Sequence, residues 1–178
     1  MNIRLLPLFG LILASAVLAD DAPVLEEKPL PDIKGSILLP KDWFVKQDKE
    51  DDVVIYQFSR EKPGDGAFST GLILTVTPKV TERTEMKPSQ YGVEMLSAML
   101  DDGAPKLQPV KEGALETCRA SHIIESETGN VEMINIAKAN DATSTLYFLT
   151  WQAPAAETET IKDLREKILA SLKLDPAY

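Results

Sequence analysis

The sequence predicts an α/β (α+β) fold in which a largely antiparallel sheet carries helices on both faces, an α-β-α sandwich. Three observations predict it. Strand-like runs follow one another across short turns, which is how antiparallel neighbours are joined. Two stretches, one after Pro88 and one from Glu157 to Leu172, repeat apolar residues at helical spacing. The run from Thr145 to Trp151 is apolar on both of its faces, so it needs a covering layer on each side.

The chain begins outside that pattern. Met1 to Arg4 carries one positive charge, and Leu5 to Leu13 is apolar apart from Pro7 and Gly10. Ala14 to Ala19 then places the small residues Val17 and Ala19 before the acidic Asp20 and Asp21. Residues 1–19 read as a signal peptide, so the protein is expected to be exported, periplasmic or secreted. An apolar run of about 15 residues is short of the ~20 that span a bilayer, and no stable membrane insertion is expected after cleavage. Residues 20–34, with Pro23, Pro29 and Pro31 and no apolar period, read as a Pro-rich extended arm. A single domain is expected over residues 35–178.

Within that domain, Ser36 to Pro40 is a short apolar strand, and Lys41 to Val45 turns and carries Trp43 inward as an aromatic anchor. Lys46 to Asp52 reads as a charged turn. Val53 to Ser59 sets Val54, Tyr56 and Phe58 on one strand face, Glu61 to Gly66 has hairpin-turn chemistry, and Thr70 to Thr77 returns as a strand. Pro88 suits the first position of a helix, along which Tyr91, Met95 and Met99 fall four apart, with Gly103 as the expected cap. Leu115 to Ser126 is a strand with Cys118, Ala120, His122 and Ile124 on one face; Val131 to Lys138 follows the turn at Thr128 to Asn130. The last helix has an inner face of Ile161, Leu164, Ile168 and Leu172, with Lys162, Arg165 and Glu166 expected to face out.

Composition removes several function classes. Among 178 residues there are 19 Lys+Arg against 28 Asp+Glu, a formal charge of −9, which cleavage after Ala19 takes to −10 because it removes only Arg4. Nucleic acid and anionic lipid are poor partners for such a chain. One Cys cannot close an internal disulfide. Cys118 is therefore a buried apolar thiol or one half of an intermolecular bridge.

The segment Ile37-Leu-Leu-Pro40 with Trp43 three residues on resembles the opening of the PsbP-like superfamily. The strand Leu146-Tyr-Phe-Leu-Thr-Trp-Gln-Ala-Pro154, followed by an acidic helix ending Ile168-Leu-Ala-Ser-Leu172, resembles its close. The resemblance spans about residues 35–174. It implies the α-β-α sandwich and places the chain beside extrinsic proteins of the oxygen-evolving complex, Ran-binding Mog-type proteins and bacterial exported relatives, which share docking to a larger protein. No functional residue of that family has a matching motif here. The leader is unlike an Arg- and Ser-rich transit peptide, so neither a photosystem nor a Ran role carries over.

The residues themselves offer no catalytic constellation. His122 is the only histidine. Ser121 and Ser126 cannot converge on it, because adjacent strand residues face opposite ways. Cys118 and His122 share a face but stand about 13 Å apart at strand rise. Asp48, Glu50, Asp51 and Asp52 lack the order of a calcium loop. Asp101 and Asp102 read as a solvated helix end. Gly64-Asp65-Gly66 lacks the Lys and Ser/Thr of a phosphate loop. Tyr91, Met95 and Met99 read as core first and docking stripe second. No catalytic, cofactor-binding or metal residue is therefore assigned and no cofactor is expected. The function expected is that of an exported, non-catalytic protein-binding or assembly/accessory protein of the cell envelope. The alternatives are a small-ligand or cation-binding protein, or an exported hydrolase with an unrecognised carboxylate site.

Overall fold

In the computed structural model, residues 23–64, 68–101, 103–125, 129–175 and 177 are described. Seven strands form the main sheet: β3 (Phe44–Glu50), β4 (Val53–Ser59), β5 (Gly71–Thr77), β6 (Val110–Glu112), β7 (Leu115–Ile124), β8 (Val131–Asn140) and β9 (Thr145–Pro154). Their spatial order is β3-β4-β5-β9-β8-β7-β6, with every neighbouring pair antiparallel. Two meanders are thus zipped together where β5 meets β9. The connection between them carries α1 (Val80–Thr84) and α2 (Pro88–Ser97). The strand expected to be covered on both sides, β9, is the middle strand of the seven, and Thr145 to Leu149 are all buried.

The sheet has two cores, one per face. On one face Val54, Tyr56, Phe58, Leu72, Leu74, Val76, Tyr147, Leu149 and Trp151 pack beneath α3 (Thr158–Ser171) and a separate hairpin of β1 (Leu25–Leu30) and β2 (Gly35–Pro40). Trp43 is the inward anchor expected, stacked on Trp151 with ring centroids 5.8 Å apart. On the other face Cys118, Ala120, Ala137, Ala139, Leu146 and Phe148 meet Val80 and Leu96 from the two helices. Helices therefore cover both faces, as the sandwich requires. Coverage of the α2 face is partial: Ile73 and Thr75 on β5 and Thr150 on β9 stay half-buried there, although both strands are interior.

Four readings of the sequence change. Residues 25–30, expected as an arm, are extended but paired along their whole length with β2, and Leu30 and Ile33 are fully buried, so the core takes in residues before Gly35. Lys46 to Glu50 is not turn but the greater part of the edge strand β3. All seven β3 residues are exposed, so no apolar alternation marks it; the turn is only Asp51-Asp52, with Asp51 at φ 54°. The helix after Pro88 ends at Ser97 and not near Gly103. Arg165, expected to face out, is 5% exposed, because its guanidinium holds Glu132 at 2.7 Å and Glu166 at 3.0 Å.

Candidate docking surface

The sheet has two edges, and they are built differently. Strand β3 closes one with Lys46, Asp48, Lys49 and Glu50, charges that discourage pairing with another strand. The other edge is only partly closed. Strand β6 pairs with Leu115, Glu116 and Thr117 of β7 and then stops, while β7 runs on to Ile124 with β8 on its inner side. Cys118 to Ile124 therefore present an outer edge that no strand or isolated bridge of the described residues occupies. In such a ladder alternate residues aim N–H and C=O outward, a template for one more strand.

The side chains around this window are apolar in the wrong place for a solvated edge. Among the most exposed large hydrophobic residues of the described chain are Val110 at 63%, Ile123 at 60% and Ile124 at 45%. Grooves flank the window on both sheet faces. On the α2 side, a cleft of about 450 Å³ lies between the 104–108 segment and β7, with Leu100, Leu107, Cys118 and Ala120 in its lining. On the α3 side, one of about 470 Å³ is lined by Val110, Ile136, Leu169 and four charged groups. The two share Gln108 and Arg119, so they meet around the edge.

The charged groups brace the strand. Arg119 gives two hydrogen bonds to Glu166, at 2.9 and 3.2 Å, tying β7 to α3. Glu166 also accepts from Arg165 Nε, and Arg165 Nη1 donates to Glu132, which accepts in turn from the Thr158 hydroxyl. Beside this chain Lys138 donates to Glu112 at 2.7 Å and the Thr117 hydroxyl does so at 2.9 Å. The Arg119 guanidinium holds the Glu166 carboxyl below the usual carboxylate range, partial burial opposing it. The Lys138 ammonium does the same for Glu112. Every charge here is matched, which suits a rigid edge better than a reacting centre.

The residues weighed for chemistry fall as follows. Cys118 and His122 do share the α2 face, opposite Ala137 and Met133 of β8, four positions apart on one strand. Cys118 is buried and burial pushes its thiol pKa up. His122 is half-buried, and its Nδ1 has no hydrogen-bond partner among the described residues. Ser121 points to the other face and is exposed; Ser126 lies outside the described residues. Asp48 pairs with Lys46, and Asp52 with Lys79 and Arg83. No group of three or more His, Cys, Asp or Glu able to hold a metal occurs among the described residues. Gly64, at φ 97°, is a turn residue, while Asp65, Gly66 and Asp102 lie outside the described residues; Asp101 is exposed beyond the helix. The Tyr91–Met95–Met99 stripe divides: the first two pack on the core and Met99 is 41% exposed. A further groove beside α2 brings Glu94 and Glu116 to its lining with Met86, Val93 and Pro109. No described helix is long and apolar enough to cross a membrane.

Sequence reasoning did not find the edge. Its signal was present in Val110-Lys-Glu-Gly113, three residues and a turn glycine before β7, too short a strand to show alternation.

No protein-family model matches the chain, and no curated protein matches it. Solved structures do. The solution structure of cyanobacterial PsbP (CyanoP) from Synechocystis is 13% identical, with a TM-score of 0.55 over 88% of this chain and 96% of that one. A crystal structure from Bacteroides thetaiotaomicron is 12% identical, with a TM-score of 0.52 over 84% of this chain; the match spans about half, 48%, of that longer chain. The Saccharomyces cerevisiae Ran-binding protein Mog1p is 13% identical, with a TM-score of 0.48 over 86% of this chain and 96% of that one. Likeness at such identities is one of architecture, and the architecture is the one cyanobacterial PsbP shows.

Proposed function

We propose that the protein is an exported, non-catalytic binding or assembly factor of the cell envelope that engages a protein partner through the open edge of β7. One observation carries the reading. A seven-residue stretch of unpaired strand edge, Cys118 to Ile124, lies between two grooves and ends in two exposed isoleucines. An apolar edge of that kind is a liability in a solitary protein and an asset in one that adds a partner's strand to its sheet. Export rests on the leader-like residues 1–19.

The test is site-specific crosslinking in the host envelope. A photo-reactive residue at Ile123 of the full chain should yield one discrete adduct with a different protein, and the same residue at Lys49 on the β3 edge should yield none. Equal labelling from both edges, or no foreign adduct from position 123, would overturn docking through β7.

A further inference from the structure

We infer that the open edge of β7 also receives a second copy of this chain, in an antiparallel twofold pairing centred on Ser121. This rests on the edge being a docking surface, as proposed above, and names an occupant for it.

The open window begins at Cys118, where β6 ends its coverage, and closes at Ile124, where β7 ends. Ser121 is its midpoint. Twofold pairing about that residue puts Cys118 opposite Ile124, Arg119 opposite Ile123 and Ala120 opposite His122, with Ser121 facing its own copy. Apart from the central Ser121 pair, each matches a small or polar residue with a large one. The large residues of one copy, His122 and Ile124, come to the Cys118 and Ala120 end of the other. There the side chains are small, and the cleft beside Leu100 and Leu107 stands open.

The exposed apolar residues make the same selection. Val110 sits opposite Thr117 of β7, and Ile123 lies at the far end of the same strand, six positions away. At strand rise that is about 20 Å, so the two cannot shield each other within one molecule. A second copy continues the row that β6 begins. Its Ile123 lands opposite Arg119, on the same sheet face as Val110 and one alternation along. The twofold therefore gathers Val110 and Ile123 at each end of the contact, where single molecules leave them in water at 63% and 60% exposure.

Charge decides the direction. The window carries Arg119, and the first residue past it is Glu125, exposed. Parallel pairing in register would set Arg119 against Arg119 and Glu125 against Glu125. The antiparallel arrangement sets Arg119 against Ile123 and keeps the like charges apart. Seven paired residues fall short of the roughly 1,200–2,000 Å² of a standard interface, so the dimer forms reversibly and its population depends on concentration.

Cysteine scanning tests the register. The full chain is purified as the host delivers it, in a Cys118→Ser background. Across an antiparallel pair, Cα atoms of facing residues are about 4.5–5.5 Å apart, inside the reach of a disulfide. Ser121→Cys should therefore oxidise to a covalent dimer at least tenfold faster than Arg119→Cys or Ile123→Cys, whose own copies stand about 13 Å away. In sedimentation velocity the unmodified chain should show a concentration-dependent dimer. Ile123→Lys, set against Arg119 of the other copy, should weaken it tenfold or more with the thermal unfolding midpoint unchanged. A chain that stays monomeric at every concentration, a dimer indifferent to Ile123→Lys, or crosslinking no faster at position 121 than elsewhere would each overturn the inference. None of these would touch the foreign adduct from position 123, and a purely self-derived adduct there would sink the proposed function while leaving the dimer standing.

Discussion

At the scale of residues, Arg165 shows how far burial can depart from helical patterning. Its position on α3 is polar by sequence, yet Glu132 lies beneath it on β8 with a side chain only 18% exposed, and the two charges neutralise each other inside the fold. Removing one member leaves the other buried and unpaired. Arg165→Met should lower unfolding free energy by about 3–5 kcal/mol, and Arg165→Met with Glu132→Leu should recover most of that loss, as read by urea denaturation. The exposed end of the same network sets a pH dependence. Glu166 and Glu112 have folded-state pKa values depressed by Arg119 and Lys138, so the stability they contribute is complete above the ordinary carboxylate range. It is lost as pH falls through their lowered folded values. Urea midpoints measured from pH 7 down to pH 3 should fall most steeply in the acid range, and Arg119→Gln should flatten the fall because the largest cause of the lowered Glu166 value is then gone.

At the scale of elements, α2 meets the sheet through Pro88, Gly92 and Leu96, a stripe one residue along from the Tyr91–Met95–Met99 line that the sequence advertises. Gly92 is the point of closest approach: a Cβ there would come within 2.8 Å of the Ala137 Cβ and 3.2 Å of a Leu146 methyl. Gly92→Ala should improve intrinsic helix propensity and still destabilise the protein by about 1–3 kcal/mol, because the helix must lift from β8; a thermal midpoint at or above the parent's would refute that packing. Legibility in sequence follows the same division between patterned and unpatterned elements. Strands β4, β5, β7, β8 and β9 and helix α3 bury one face or both, so their apolar period was readable. Strand β3 buries neither face, β1 is interrupted by a proline and two acids, and β6 and α1 are too short to carry a period. The candidate surface was illegible for a deeper reason. His122, Cys118 and the isoleucines could all be placed on β7, but which strand fails to cover them is a property of the partner's length and not of β7 itself.

At the scale of the whole molecule, the order β3-β4-β5-β9-β8-β7-β6 places its most buried long strands, β8 and β9, in the interior and gives the two ends different characters. One end is short-covered and exposes Val110, Ile123 and Ile124; the other exposes Phe44 and Val45 and then runs on through Lys46, Asp48, Lys49 and Glu50. Both exposed ends of an ordinary sheet can in principle recruit neighbours, and a protein adhesive at both would stack into an unlimited ribbon. Here, with β7 consumed by whatever docks on it, the opposite edge of the main sheet is β3, where Lys46, Asp48, Lys49 and Glu50 discourage the next strand. On that side the sheet does not grow. The charged edge thus acts as a chain terminator, letting a sheet that is sticky enough to recruit one strand remain too guarded to polymerise.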